Sequence, residues 1–134
     1  MTKMHNDKPR AYFAHSTHSF GTDTETRILK VLREKYRVIC PNFDIGRLVE
    51  FKKYLNIVGW ADMVFVWEYE NYITMGVYVE VLHALKLGIP VWVVKETSDG
   101  FTFEGVERIE YQQDRTSRNH YGKLITQQCG SIVQ

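Results

Sequence analysis

The sequence predicts a single α/β domain built on a doubly wound parallel sheet, and three observations carry that expectation. Short apolar runs alternate along the chain with segments of helical periodicity. The runs AYFA, RVIC, MVFVW and VWVV are continuous rather than alternating, as in parallel strands covered on both faces. The length, 134 residues, suits one core of ordinary size.

Taken in order, the polar stretch MTKMHNDKPR (residues 1–10) reads as a loose lead-in, and the domain as residues 11–134. Ala11–Ala14 is the first expected strand. Asp23–Tyr36 follows as a helix whose inner face is Ile28, Leu29, Val31 and Leu32, with Thr22 or Asp23 as its N-cap. Arg37–Cys40 is a second strand, stopped by Pro41, and Leu48–Trp60 a second helix. Met63–Trp67 is a third strand. The stretch TMGVYVEVLHALK forms a third helix on Val77, Val81, Ala84 and Leu85, and Val91–Val94 is a fourth strand. Beyond Lys95, ETSDGFTFEG reads as a loop, ERIEY as a short last strand and SRNHYGKLITQQ as a closing helix, weakened by Gly122 and Thr126.

Composition narrows the function classes. Hydrophobic residues make up 44% and charged residues 25%, the balance of a globular chain. Seventeen basic and sixteen acidic residues leave a net charge of +1, which argues against a nucleic-acid backbone as main partner. Arg115, Arg118 and Lys123 read as a solvated cluster. Cys40 and Cys129 form no C-x-x-C and read as reduced thiols of a cytoplasmic protein. No signal peptide and no membrane-spanning run is visible.

In an open parallel sheet, ligands bind beyond the carboxyl ends of the strands. Those ends carry His15-Ser16-Thr17, Asn42-Phe43-Asp44, Glu68-Tyr69-Glu70-Asn71 and Lys95-Glu96. Glu80 interrupts the apolar stripe of the third helix about one turn from the same edge. A carboxylate there either pairs with a nearby Lys or Arg, or serves as nucleophile or electrostatic stabiliser of an electron-poor carbon. A glycosidic carbon fits the second role, because its cleavage passes through an oxocarbenium-like state.

The loop AHSTHSFGTDTE gathers Ser16, Thr17, Ser19 and Thr22 around Gly21. It suits phosphate or sugar oxygens at a helix start and equally suits ordinary capping. Gly76 permits close backbone approach. His15 and His18 lack a visible third ligand, so a polar contact to ligand or solvent exposure is expected rather than a metal. Among Trp60, Trp67, Tyr69, Tyr72 and Tyr78, the two loop residues Tyr69 and Tyr72 either stack on a planar base or pack as a lid or subunit contact.

The segments YFAHSTHSFGTDTE, ADMVFVW and TMGVYVEVLHALKLGIPVWVV resemble the nucleoside 2-deoxyribosyltransferase superfamily. The likeness is strongest to its 2′-deoxynucleoside 5′-monophosphate N-glycosidase branch. It spans about Ala11 to Val94, and a Gly four residues before a Glu, followed by A-x-x-L-G-x-P-V, is its most specific part.

The resemblance implies a compact Rossmann-like fold, usually homo-oligomeric, with no metal or organic cofactor. It implies that Glu80 is the catalytic glutamate acting at C1′ and that Asp62 is the acidic residue opening the third strand. Ser16 and Thr74 take phosphate-binding positions, and Tyr12 the aromatic position of the first strand. His15, His18, Asp44, Glu68, Tyr69 and Gly76 complete the expected substrate contacts. His18 stands where the relatives carry an arginine, and Tyr54 where they carry an aspartate near the base. Glu68, Glu70 and Asp44 are then the acids available to the leaving base, and Ser117, Asn119 or Tyr121 those a neighbouring subunit would lend.

The function expected is N-glycosidic cleavage, by hydrolysis or base transfer, of a nucleoside, a 5′-monophosphate or a related derivative. Two other functions fit the same pocket: binding of an ADP-ribose-like signal without turnover, and cleavage of NAD.

Overall fold

The computed structural model describes residues 8–16, 20–40, 51–68, 73–113 and 120–133. Its elements, in chain order, are β1 (Arg10–His15), α1 (Asp23–Arg33), β2 (Arg37–Ile39), α2 (Phe51–Trp60), β3 (Met63–Trp67), β4 (Ile73–Thr74), α3 (Met75–Lys86), β5 (Val91–Thr97), β6 (Gly100–Gln113) and β7 (His120–Val133). The chain is a mixed α/β protein whose strands form one seven-stranded sheet in the order β2-β1-β3-β5-β6-β7-β4.

The four apolar runs behave as their composition demands. β1 pairs in parallel with β2 and β3, and β3 with β5. Alternate residues of one strand serve opposite faces. Ala11 and Phe13 join Phe65, Phe101 and Phe103 beneath Ile28, Leu29 and Leu32 of α1. Tyr12 and Ala14 join Val64, Val66 and Val93 beneath Val58 of α2 and Val77, Val81 and Ala84 of α3. Burial of each Val, Leu, Ile or Phe side chain among these stabilises the fold by about 1.5–3 kcal/mol.

The cap of α1 is Thr22, whose hydroxyl accepts from the Glu25 N–H at 3.2 Å. Asp23 and Glu25 in the first turn and Lys30 and Arg33 in the last complement the helix dipole. The helix stops at Arg33 rather than Tyr36, as the Lys35 and Tyr36 N–H groups both turn back to the Leu32 carbonyl. Val31 is only half-buried at the rim of its face. The described part of α2 begins at Phe51, so the expected start at Leu48 lies outside the described residues.

The second half of the sheet departs from expectation. The stretch read as a loop is a hairpin: β5 runs on to Thr97, turns through Ser98 and Asp99, and returns as β6 from Gly100. Gly100 has φ +142°, a region L side chains rarely adopt. The expected strand ERIEY is the far part of the 14-residue β6. The expected closing helix is β7, antiparallel to β6. Gly122 disfavours a helix, the β-branched Ile125 and Thr126 favour a pleated strand, and Leu124 is buried in the α2/α3 core. The sheet is therefore parallel over β2, β1, β3 and β5 and antiparallel over β6, β7 and β4.

Candidate active site

A helix that links two parallel strands runs back against them, so α3 starts at the carboxyl edge of the sheet. Glu80 lies on its sheet-facing side and is only 7% exposed. The fully buried Tyr12 of β1 lies beneath it and donates its hydroxyl to Glu80 Oε2. Among the described residues Glu80 has no basic partner. Burial pushes the Glu80 carboxyl up to about 7, with the Tyr12 hydrogen bond pulling the other way. Burial and then the Glu80 charge push the Tyr12 phenol up, so it remains a donor at all ordinary pH. Tyr54 of α2 and Cys40 stand close enough to Tyr12 to add to that effect.

The expected substrate residues fall into three groups. Ser16, at the carboxyl end of β1, is almost wholly buried. Thr74 is the N-cap of α3 with extended backbone, yet its side chain makes no cap hydrogen bond. A Cβ on Gly76 would meet nothing within 4 Å, so packing does not demand glycine there. These three sit at the edge where α3 begins. Glu68 is at that edge too, between β3 and β5, but ion-paired to Lys95 at 2.7 Å. His18, Asp44, Tyr69, Glu70 and Tyr72 lie outside the described residues, as do Ser117 and Asn119.

Asp62 was expected as the acidic residue that opens the third strand. It opens β3 at the amino edge, where its Oδ2 accepts from the Arg10 N–H at 2.8 Å and its Oδ1 from the Arg10 guanidinium at 3.3 Å. Those bonds, the backbone one foremost, hold its carboxyl below the usual range. Its side chain is about half exposed and ionised, paired with Arg10 at the strand start. The aromatic group also divides. Trp60 is at the amino edge beneath Arg10 and Arg37, Trp67 is near His15, and Tyr78 packs on the α2/α3 core.

His15 was expected as a ligand contact or an exposed residue; it is neither exposed nor alone. Its ring stacks on Phe13 at 4.1 Å and meets Phe20 at 5.0 Å. Its Nε2 meets Glu25 Oε2 at 2.5 Å, and its Nδ1 lies 3.3 Å from the Phe13 carbonyl. Burial pushes its pKa down, against the opposing pull of Glu25. Glu25, read from sequence only as a first-turn residue, is fully buried, and its Oε1 accepts from the Gly21 N–H at 2.9 Å. Cys40, fully buried just after β2, completes a group in which one donor atom of each residue lies within 4.8 Å of the others. The sequence signal was available. Glu25, Ile28, Leu29 and Leu32 form one i, i+3, i+4, i+7 stripe, so Glu25 interrupts an apolar face much as Glu80 does.

A cavity of about 220 Å³ on the α1 face, between Val31, Tyr36, Met63, Phe65 and Trp92, does not include Glu80. No helix among the described residues is long and apolar enough to cross a membrane. In comparison with known proteins, no family model, no curated sequence and no solved structure matches the chain.

Proposed function

We propose that the chain is an N-glycosidic-bond enzyme acting on a nucleoside, a nucleoside 5′-monophosphate or a related derivative, with Glu80 as its nucleophile. One observation carries this reading: a carboxylate buried at the ligand-binding edge whose described partner is a phenol, not a cation. A structural carboxylate is ordinarily neutralised by a base, whereas a nucleophile must keep its charge available. With its pKa near 7, Glu80 is substantially ionised at neutral pH, and Tyr12 fixes one oxygen while leaving the other to react.

In this mechanism the free oxygen bonds to C1′ as the C1′–N bond breaks, and the bond pair leaves with the base, which takes up a proton. Water then cleaves the glycosyl ester in hydrolysis, or a second base does so in transfer. Ser16 and Thr74 hold the 5′-hydroxyl or phosphate beside the α3 N-terminus. We read the fold accordingly as a doubly wound, deoxyribosyltransferase-like sheet extended by the β6–β7 ribbon. We place it in a homo-oligomer and in the reducing cytoplasm, in keeping with the buried Cys40, which is in no disulfide.

The test is chromatographic detection of free base from a panel of nucleosides, 5′-monophosphates and NAD, with wild type beside Glu80→Gln. Release by wild type alone supports the reading, and the preferred substrate identifies what is cleaved. Absence of release from every compound refutes it in favour of a protein that binds its ligand intact.

A further inference from the structure

We propose that His15, Glu25 and Cys40 form a binding site for a borderline-soft divalent transition ion, zinc being the first candidate. The three contribute one nitrogen, one oxygen and one sulfur donor, all within 4.8 Å of one another and all buried. That donor set disfavours magnesium and calcium, which take oxygen ligands, and suits zinc.

The surroundings of the donors are those of a metal site. A metal-bound histidine usually gives its other N–H to a carbonyl or carboxylate, and a ligating carboxylate is itself hydrogen-bonded. His15 presents Nε2 to the cluster and Nδ1 to the Phe13 carbonyl. Glu25 presents Oε2 to the cluster and Oε1 to the Gly21 N–H. Without an ion, both ring nitrogens of His15 face oxygen acceptors, which a neutral imidazole satisfies only singly and which otherwise calls for a buried imidazolium–carboxylate pair with Glu25. An ion on Nε2 resolves this by leaving the ring proton on Nδ1, directed at Phe13.

Zinc bonds of about 2.0–2.3 Å put the donors of one tetrahedral ion about 3.3–3.7 Å apart. Binding therefore opens the His15–Glu25 contact by about 1 Å, and the Cys40 thiol releases its proton. The ion joins residues of three elements: the end of β1, the first turn of α1 and Cys40 just after β2. The three donors are nearly wholly buried and leave the fourth position of a tetrahedral ion to a water or a further ligand, on the opposite sheet face from Glu80.

The test uses the full chain, stripped with chelator under reducing conditions. Zinc is titrated against a chromophoric chelator, and cobalt is added separately to read thiolate-to-metal charge transfer. The expected result is one zinc per chain, a rise in Tm on loading, and a cobalt charge-transfer band retained in Cys129→Ser. Cys40→Ser should abolish the band. It and His15→Ala should weaken zinc by at least the roughly 10–100-fold that loss of even an outer partner costs a metal site. Zinc bound equally well by Cys40→Ser and His15→Ala belongs to other histidines and overturns the proposal. So does the absence of a cobalt–thiolate band in wild type, which is read without any variant that affects folding.

Discussion

Replacing Glu80 by glutamine should make the protein more resistant to unfolding at alkaline than at acid pH, relative to wild type. Burial raises the Glu80 carboxyl from 4.5 to about 7. The folded chain then holds the Glu80 proton more tightly than the unfolded chain. Its stabilising contribution is complete below pH 4.5 and is lost as pH rises through about 7. At 1.36 kcal/mol per pH unit, that loss is about 3 kcal/mol. Glutamine does not titrate, keeps an acceptor for Tyr12 and carries a pH-independent cost of its own, which cancels when two pH values are compared. Urea unfolding of both proteins at about pH 4 and about pH 8 gives the difference directly. Wild type should lose about 3 kcal/mol relative to Glu80→Gln between them. An unchanged gap would mean that Glu80 is solvated or paired with a cation, and the argument for a poised nucleophile would fall with it.

Tyr12→Phe removes a hydrogen bond to a charged group, about 1.5–3 kcal/mol. It should raise the Glu80 pKa by about a further 1–2, so the onset of base release moves to higher pH in a rate profile. Ser16→Ala and Thr74→Val should each raise KM for a 5′-monophosphate roughly 10–100-fold, the value of one charge-assisted bond, with little change for the nucleoside; equal effects on both would remove phosphate from the reading. Asp62→Asn should leave base release unchanged, since Asp62 is held by Arg10 at the far edge. Gly100→Ala, at φ +142°, should destabilise the hairpin by about 1 kcal/mol or more in thermal unfolding.

The half of the fold that lies before Lys95 was legible because its strands are continuous apolar runs and its helices carry a clean stripe. The β6–β7 ribbon was not. Phe101 and Phe103 alternate with Thr102 and Glu104, a two-residue period, but Gly100 and Gly105 at either end gave the stretch the look of a loop. In the site, Glu80 could be found because a charge among Val77, Val81 and Ala84 has to be accounted for. Its Tyr12 partner could not, because periodicity within one segment says nothing about which side chain lies across the sheet. Asp62 was drawn in by position relative to β3, and only the Arg10 contact shows which edge it serves. Glu25 was hidden by its place in a first turn, where acids are ordinary.

The short β4 has a consequence for when the site comes into being. Ile73 and Thr74, which lead into α3, are paired to Gly122 and Tyr121 of β7 and, among the described residues, to no earlier strand. Thr74 therefore waits for a partner 47 residues downstream. At roughly 5–20 residues per second of synthesis, that is several seconds. A nascent chain can pair β1, β2 and β3 early, yet the strand that leads into α3 is paired only once β7 has emerged. The start of the helix that carries Glu80 is thus fastened by a strand made well after it.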